Sequence, residues 1–191
     1  MNKLPEIDNF QYLFQNDIPL IDTRAPVEFE RGAFPNSLNI PLMNNKERRL
    51  VGVDYQDNGR NSAIKLGHRL VSGDIKKNRM DAWLDFVEKH PNGALYCFRG
   101  GLRSEIAQHW IFESSGITYP RVKGGFKDMR NYLTKKLDQI IELTNFMILG
   151  GQTGCGKTLL LSELKNSIDL EELANHRGSA FGQNIFPQPT Q

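Results

Sequence analysis

Ala94-Leu95-Tyr96-Cys97-Phe98-Arg99-Gly100-Gly101-Leu102-Arg103-Ser104 is the stretch that decides how this chain is read. Its first three residues are a short apolar run, and Ile106, Ala107, Trp110 and Ile111 behind it have helical spacing. Between the two lies a glycine-bearing loop that Cys97 opens. Successive backbone N–H groups of such a loop form an anion-binding nest, and the helix N-terminus adds positive potential. Both favour thiolate over thiol, and the thiolate is the reactive form of cysteine. Arg99 and Arg103 add fixed charge and forked donors suited to an oxyanion such as a phosphate. A buried structural cysteine is the plainer alternative, because free Cys is often a core residue. Two arginines and two glycines beside it favour the reactive reading. Cys97, Arg99, Gly100, Gly101 and Arg103 are therefore the expected catalytic set.

Outward from this loop, short apolar runs alternate with helical patterns. Ile7, Phe10, Leu13 and Phe14 have helical spacing that ends before Pro19, and Pro19-Leu20-Ile21-Asp22 reads as a short buried strand. Residues 23–30 read as a loop and helical turn, and Ser37-Leu38-Asn39-Ile40-Pro41 as a second strand. Residues 44–61 are polar and glycine-bearing and are expected to be an irregular loop. Helices are expected over 62–71 and 79–89, a strand over 94–97, a helix over 103–114, a strand at 118–122 and a long helix over 125–142. Such alternation predicts an α/β fold, a mostly parallel sheet covered by helices on both faces. Catalytic groups then belong beyond the carboxyl ends of the strands, where Cys97 sits.

The chain has 191 residues, room for one domain and part of another. Its 39% hydrophobic and 24% charged residues are those of a soluble globular protein. No run approaches the roughly 18 apolar residues of a membrane span, and the first residues lack the apolar core of a signal peptide. Only Cys97 and Cys155 are present, both in loops with functional character, so a reducing cytoplasm is expected rather than a disulfide framework. The net charge of +2 says little about partners. Basic clusters at Lys46, Arg48, Arg49, at Lys76, Lys77, Arg79, and from Arg121 to Lys136 read first as solvated faces and only weakly suit a polyanion.

A second unit is expected over 143–191. Asn145-Phe146-Met147-Ile148-Leu149 has the pattern of a buried strand, and Gly151-Gln152-Thr153-Gly154-Cys155-Gly156-Lys157-Thr158 fits the P-loop template G-x-x-x-x-G-K-[ST]. Leu159, Leu160, Leu161 and Leu164 then supply an apolar helix. Gly151, Gly154 and Gly156 let backbone amides wrap phosphates, Lys157 reaches the outer phosphates, and the Thr158 hydroxyl suits Mg²⁺. Cys155 reads as a small variable residue of the loop. Asp169, Glu171 and Glu172 are the available acidic ligands, but Ser167-Ile168-Asp169-Leu170 is a poor strand. A P-loop domain needs further strands, and the tail from Phe186 reads as disordered, so the unit is expected to be an incomplete fragment: strand, Walker A loop, helix and tail. No metal site is assigned, and no tightly bound cofactor is expected.

Residues 1–142 resemble the rhodanese family of sulfurtransferases. The matching residues are Leu20-Ile21-Asp22-Thr23-Arg24, Glu28-Phe29, Gly32-Ala33-Phe34-Pro35, Asn39-Ile40-Pro41, the Cys97 loop and Val122-Lys123-Gly124-Gly125. The resemblance implies that Cys97 carries sulfur as a persulfide cradled by loop amides. Joined to the P-loop and to Leu173-Ala174-Asn175-His176-Arg177-Gly178-Ser179-Ala180-Phe181-Gly182, the whole resembles the tRNA 2-selenouridine synthase family. That implies tRNA as partner, and selenium from selenophosphate replacing the sulfur of wobble 2-thiouridine. It also implies an S-geranylated intermediate made from geranyl diphosphate, with residues 151–158 as the diphosphate or nucleotide site. The family's chain is longer, so this one is expected to be truncated inside its second domain.

Two other readings stand beside this. Cys97 to Arg103 also satisfies C-x5-R, the cradle of cysteine-dependent phosphatases, although Tyr96 stands where many of them carry His. A non-catalytic fragment is the third. His68, His90, His109 and His176 have no metal-ligand spacing, and His109 reads as a packed helical histidine. Asp22 and Arg24 are expected to form a buried ion pair supporting the loop, and Glu28 receives no role.

Overall fold

Strands need neighbours, and the apolar runs of this chain find them in parallel. The computed structural model describes residues 4–152, 154–177, 182, 183, 185 and 188. Its elements are, in order, β1 (Glu6–Ile7), α1 (Phe10–Gln15), β2 (Leu20–Asp22), α2 (Pro26–Glu30), β3 (Ser37–Asn39), α3 (Asn45–Leu70), α4 (Gly73–Lys89), β4 (Ala94–Tyr96), α5 (Leu102–Ser115), β5 (Arg121–Val122), α6 (Gly125–Leu143), α7 (Lys157–Glu163) and α8 (Leu170–Leu173). They divide into two units, Met1–Leu137 and Asp138–Gln191. In the first unit the five strands form one sheet of order β1-β5-β4-β2-β3, with every ladder parallel. This is the expected α/β class. Ile21 lies opposite both Leu38 and Leu95, so β2 and β4 are central and wholly buried.

Alternation along these strands builds two cores. Ile21 and Leu95 face Trp83 and Phe86 of α4 and Trp110 and Ile111 of α5. Leu20, Ala94, Tyr96 and Val122 face Leu13 of α1, Phe34 and Met129 of α6. Helices thus cover both faces, as the alternation requires. Among the described residues no helix is long and apolar enough to cross a membrane.

Several expectations are corrected. Residues 44–61 are not an irregular loop. Asn44 caps α3 by accepting the Glu47 amide at 2.9 Å, while the Glu47 carboxylate accepts the Asn44 amide at 2.8 Å. This reciprocal capping box starts the helix despite its polar sequence, and Arg79 of α4 holds Glu47 at 2.7 Å. Gly59, at φ 80°, breaks α3 into two helical stretches. Ile7 belongs not to the first helix but to β1, paired with Val122, and the helix starts at Phe10 under an Asn9 cap. In the second unit, residues 145–149 form no strand: Met147 and Ile148 are 98% and 91% exposed. A strand is held by ladder hydrogen bonds to a neighbour, and the sheet's described strands all come from residues 6–122. The stretch Gly178-Ser179-Ala180-Phe181 and the tail from Phe186, apart from Gln188, lie outside the described residues.

At the end of β2 the expected ion pair is present and buried. The Arg24 guanidinium donates to Asp22 at 2.6–3.0 Å and to the Gly32 carbonyl at 2.8 Å. The Tyr96 hydroxyl donates to Asp22 at 2.9 Å. Burial first, then the Asp22 charge, push the Tyr96 hydroxyl's pKa up, so it stays a donor. Asp22→Ala would leave the Arg24 charge buried without its partner, and the expected cost is about 3–5 kcal/mol. Urea unfolding of the full chain measures it, and a loss below about 1 kcal/mol would show that the pair is not structural.

Candidate active site

Cys97 follows β4 directly and is 3% exposed. The loop behind it is held by main-chain bonds from the start of α6: the Phe126 amide donates to the Cys97 carbonyl at 2.9 Å, and the Lys127 amide to the Phe98 carbonyl at 3.0 Å. Two backbones meet here with no room for side chains. Gly100 has φ 62°, and a Cβ on it would stand 2.7 Å from the Gly124 nitrogen and 2.8 Å from the Val122 oxygen. Gly125 has φ 60°, and a Cβ there would fall on the Cys97 carbonyl oxygen and 2.5 Å from the Gly100 nitrogen. Glycine is thus required on both sides of the contact.

Among the described residues, none of the amides of Phe98, Arg99, Gly100 and Gly101 donates to another protein group. Gly101, the N-cap of α5, offers no side-chain cap. Free amides and an uncapped helix N-terminus together favour an anion at the loop. Ser104, fully buried in the first turn of α5, places its hydroxyl 3.2 Å from the Cys97 sulfur and 2.9 Å from the Gly101 carbonyl. It has one proton to donate; given to the sulfur, it stabilises a thiolate. Sequence reasoning quoted Ser104 without assigning it a role.

The arginines of the expected set differ. Arg99 is exposed, with no partner among the described residues. Arg103 makes a forked pair with Glu28 of α2, at 2.6 and 3.2 Å, and Arg48 of α3 reaches the same carboxylate at 3.0 Å. Burial pushes the Glu28 carboxyl up, but the hydrogen bonds and charge of Arg103, the Ala25 amide and Arg48 outweigh it, and the net is a carboxyl below its usual range. Glu28 therefore has a role that sequence reasoning did not give it: it aims Arg103. Their separation of 75 positions leaves no local signal of the pairing. The Nδ1–H of His109 donates to the Glu105 carbonyl at 2.9 Å, one turn back in α5, as a packed histidine should.

In the second unit, Gly151, Gly154 and Gly156 have positive φ and shape the P-loop turn. Lys157 folds back and donates to the Gly151 and Gln152 carbonyls, both at 2.8 Å, with the Cys155 sulfur 3.8 Å away. Thr158 lies exposed in α7. Asp169 accepts the Glu171 and Glu172 amides as the cap of α8, so its carboxylate is engaged there. Among the described residues no group of three His, Cys, Asp or Glu side chains is placed to hold a metal ion. The basic clusters are partly neutralised: Arg48 by Glu28, Arg79 by Glu47, Arg121 by Glu6.

Residues 144–191 match the family model described as the tRNA 2-selenouridine synthase AAA domain. The tRNA 2-selenouridine synthase of Sulfurovum sp. (strain NBC37-1) is 54% identical over 190 residues, which cover 100% of this chain and 52% of that protein. That of Marinobacter nauticus is 55% identical over 191 residues, again 100% of this chain and 52% of the relative. The chain spans about half the length of the curated relatives it matches. Among solved structures, the N-terminal domain of a suspected ATP/GTP binding protein from Clostridium difficile 630 is similar, with 29% identity and a TM-score of 0.55 over 67% of this chain and 98% of that one.

The glycine contact gives a sharp expectation. Gly125→Ala should lower Tm by several degrees, because it adds strain at positive φ of roughly 1–3 kcal/mol and a backbone clash. Gly101→Ala, where a Cβ meets nothing within 4 Å, should lower Tm less, since only the N-cap preference for glycine over alanine is lost. Equal melting of the two variants would remove the contact as the loop's anchor.

Proposed function

We propose, for a chain that belongs to the tRNA 2-selenouridine synthase family, that its first unit performs the chalcogen-handling step of tRNA modification with Cys97 as the reacting thiolate. The observation that carries this reading is the setting of the Cys97 sulfur. It ends a central strand, with free loop amides, the uncapped N-terminus of α5 and the Ser104 hydroxyl at 3.2 Å around it. The amides and Arg103 hold an anionic donor, which we take to be selenophosphate. Ser104 donates to the sulfur when it is ionised. Glu28 holds the Arg103 fork in register, and a donor anion competes with that carboxylate for the guanidinium.

The substrate is taken to be a tRNA whose wobble 2-thiouridine exchanges sulfur for selenium. An S-geranylated intermediate fits that exchange chemically, since alkylation turns a thiocarbonyl sulfur into a thiol-type leaving group. Geranyl diphosphate is assigned to the P-loop, where the amides of residues 151–158 and the Lys157 ammonium suit a diphosphate. Thr158 would supply one oxygen to a Mg²⁺ ion bound with it. Among the described residues no group of three His, Cys, Asp or Glu side chains is placed to complete that ion's ligands. The basic residues left unpaired offer tRNA contacts that weaken steeply with salt.

The test is selenium incorporation into thiolated tRNA by the full chain, supplied with geranyl diphosphate and selenophosphate. Cys97→Ser should abolish it. Arg103→Lys should lower it about tenfold at limiting donor, because a fork becomes a point charge though the charge is kept. Incorporation unchanged in Cys97→Ser would overturn the assignment. Brisk hydrolysis of an aryl phosphate by the wild-type chain, without selenium transfer, would favour the phosphatase reading.

A further inference from the structure

Glu28 meets more cations than its nearer oxygen can bond. Its Oε1 accepts from one terminal nitrogen of Arg103 at 3.2 Å. Its Oε2 accepts from the other at 2.6 Å and from the Ala25 amide at 3.1 Å. A carboxylate oxygen offers two lone pairs, so Oε2 is full. Yet the Arg48 Nε stands 3.0 Å from that same oxygen. The Arg48 side chain has no other partner among the described residues, and it is 45% exposed against 12% for that of Glu28. Arg48 is thus a further claimant on an oxygen already satisfied.

The fold puts it there. Asn45, at the start of α3, accepts the Val27 amide of α2 at 2.9 Å. This bond ties the first turn of α3 to the first turn of α2, and Arg48 and Glu28 lie in those two turns. The Asn44–Glu47 box and the Arg79 contact fix the same turn of α3.

An anion at the Cys97 loop needs the Arg103 fork, which Glu28 occupies. Without Arg48, the departure of Arg103 would leave a largely buried carboxylate with the Ala25 amide alone, at a cost comparable to the bond gained. We infer that Arg48 is a positioning residue that takes over Glu28 as Arg103 turns from the carboxylate to the anion. Its guanidinium carries enough donors to form a fork on Oε1 and Oε2 once Arg103 has left them. Glu28 is paired before and after the exchange, and no charge is left alone. The inference rests on the proposed function in one respect, that Arg103 meets the anion.

Calorimetry on the full chain at fixed ionic strength, with inorganic phosphate as the probe, tests it. Arg103→Ala sets the reference: the binding it removes belongs to the Cys97 loop, and what remains belongs to the P-loop and other sites. Arg48→Ala should weaken the Arg103-dependent binding about tenfold, the size of one charge-assisted hydrogen bond. Its Tm should not change, because the side chain is nearly half exposed. Arg48→Lys keeps a cation within reach of Glu28 and should lose less. In a Glu28→Gln chain the side-chain oxygen still accepts the Ala25 amide, but Arg103 has no anion to leave. Adding Arg48→Ala there should change affinity by less than about twofold. An equal loss from Arg48→Ala in both backgrounds would show that Arg48 acts only as a distant charge, and would overturn the inference. No loss with Glu28 in place would overturn it as well. Phosphate binding unchanged in Arg103→Ala would instead strike the role of Arg103 itself, and this inference with it. Selenium transfer has no part in the readout, so its failure is a separate result.

Discussion

The backbone of the Cys97 loop runs against the backbone of the turn into α6, and the site depends on that contact. Side chains on Gly100 or Gly125 would drive the two segments apart. With glycine at both places, the amides of Phe126 and Lys127 reach the loop carbonyls. The loop is therefore fixed by main-chain hydrogen bonds, which leaves its own amides free to face an anion. Phe126 extends the same support inward: its ring lies 6.1 Å from that of Phe98 and 3.8 Å beneath the Arg24 guanidinium. The buried Asp22–Arg24 pair thus bears on the reactive loop through one aromatic ring, as a support rather than as a participant.

Charge around the loop follows a similar economy. Arg24 is neutralised in the core by Asp22, and Tyr96 is held protonated against that same carboxylate. Arg103 stands at the surface of the loop with a carboxylate that it must share. One arginine is thereby committed to the fold, and the other keeps enough unbalanced charge to meet an incoming anion. The two roles follow from burial, since a fully enclosed guanidinium cannot exchange partners without a large desolvation cost.

Much of this was legible in the sequence. The strand at 94–96 and the helices from 102 and 125 follow from hydrophobic period and glycine punctuation, and they alone bring Cys97 to the end of a central strand. The ion pair between Asp22 and Arg24 was readable because both residues close one short strand. Residues 44–61 were not, because their apolar stripe is narrow and the helix depends on the Asn44–Glu47 box and on Arg79. β1 and β5 are two residues each, set by pairing rather than by pattern. The run at 145–149 has a strand's composition but finds no ladder partner among the described residues. Glu28 and Ser104 escaped for different reasons: one acts across the fold, and the other is a common residue whose meaning lies in a 3.2 Å distance.

The central claim is that environment, not exposure, makes Cys97 the reactive cysteine. The chain carries its own control, since Cys97 is buried and Cys155 is exposed. Brief treatment of the folded chain with a small electrophile such as iodoacetamide at neutral pH, followed by peptide mass mapping, compares the two directly. The loop amides and Ser104 predict that Cys97 is modified faster than Cys155 and that unfolding in urea abolishes its lead. Modification of Cys155 first, with Cys97 reacting only once the chain is unfolded, would contradict the account.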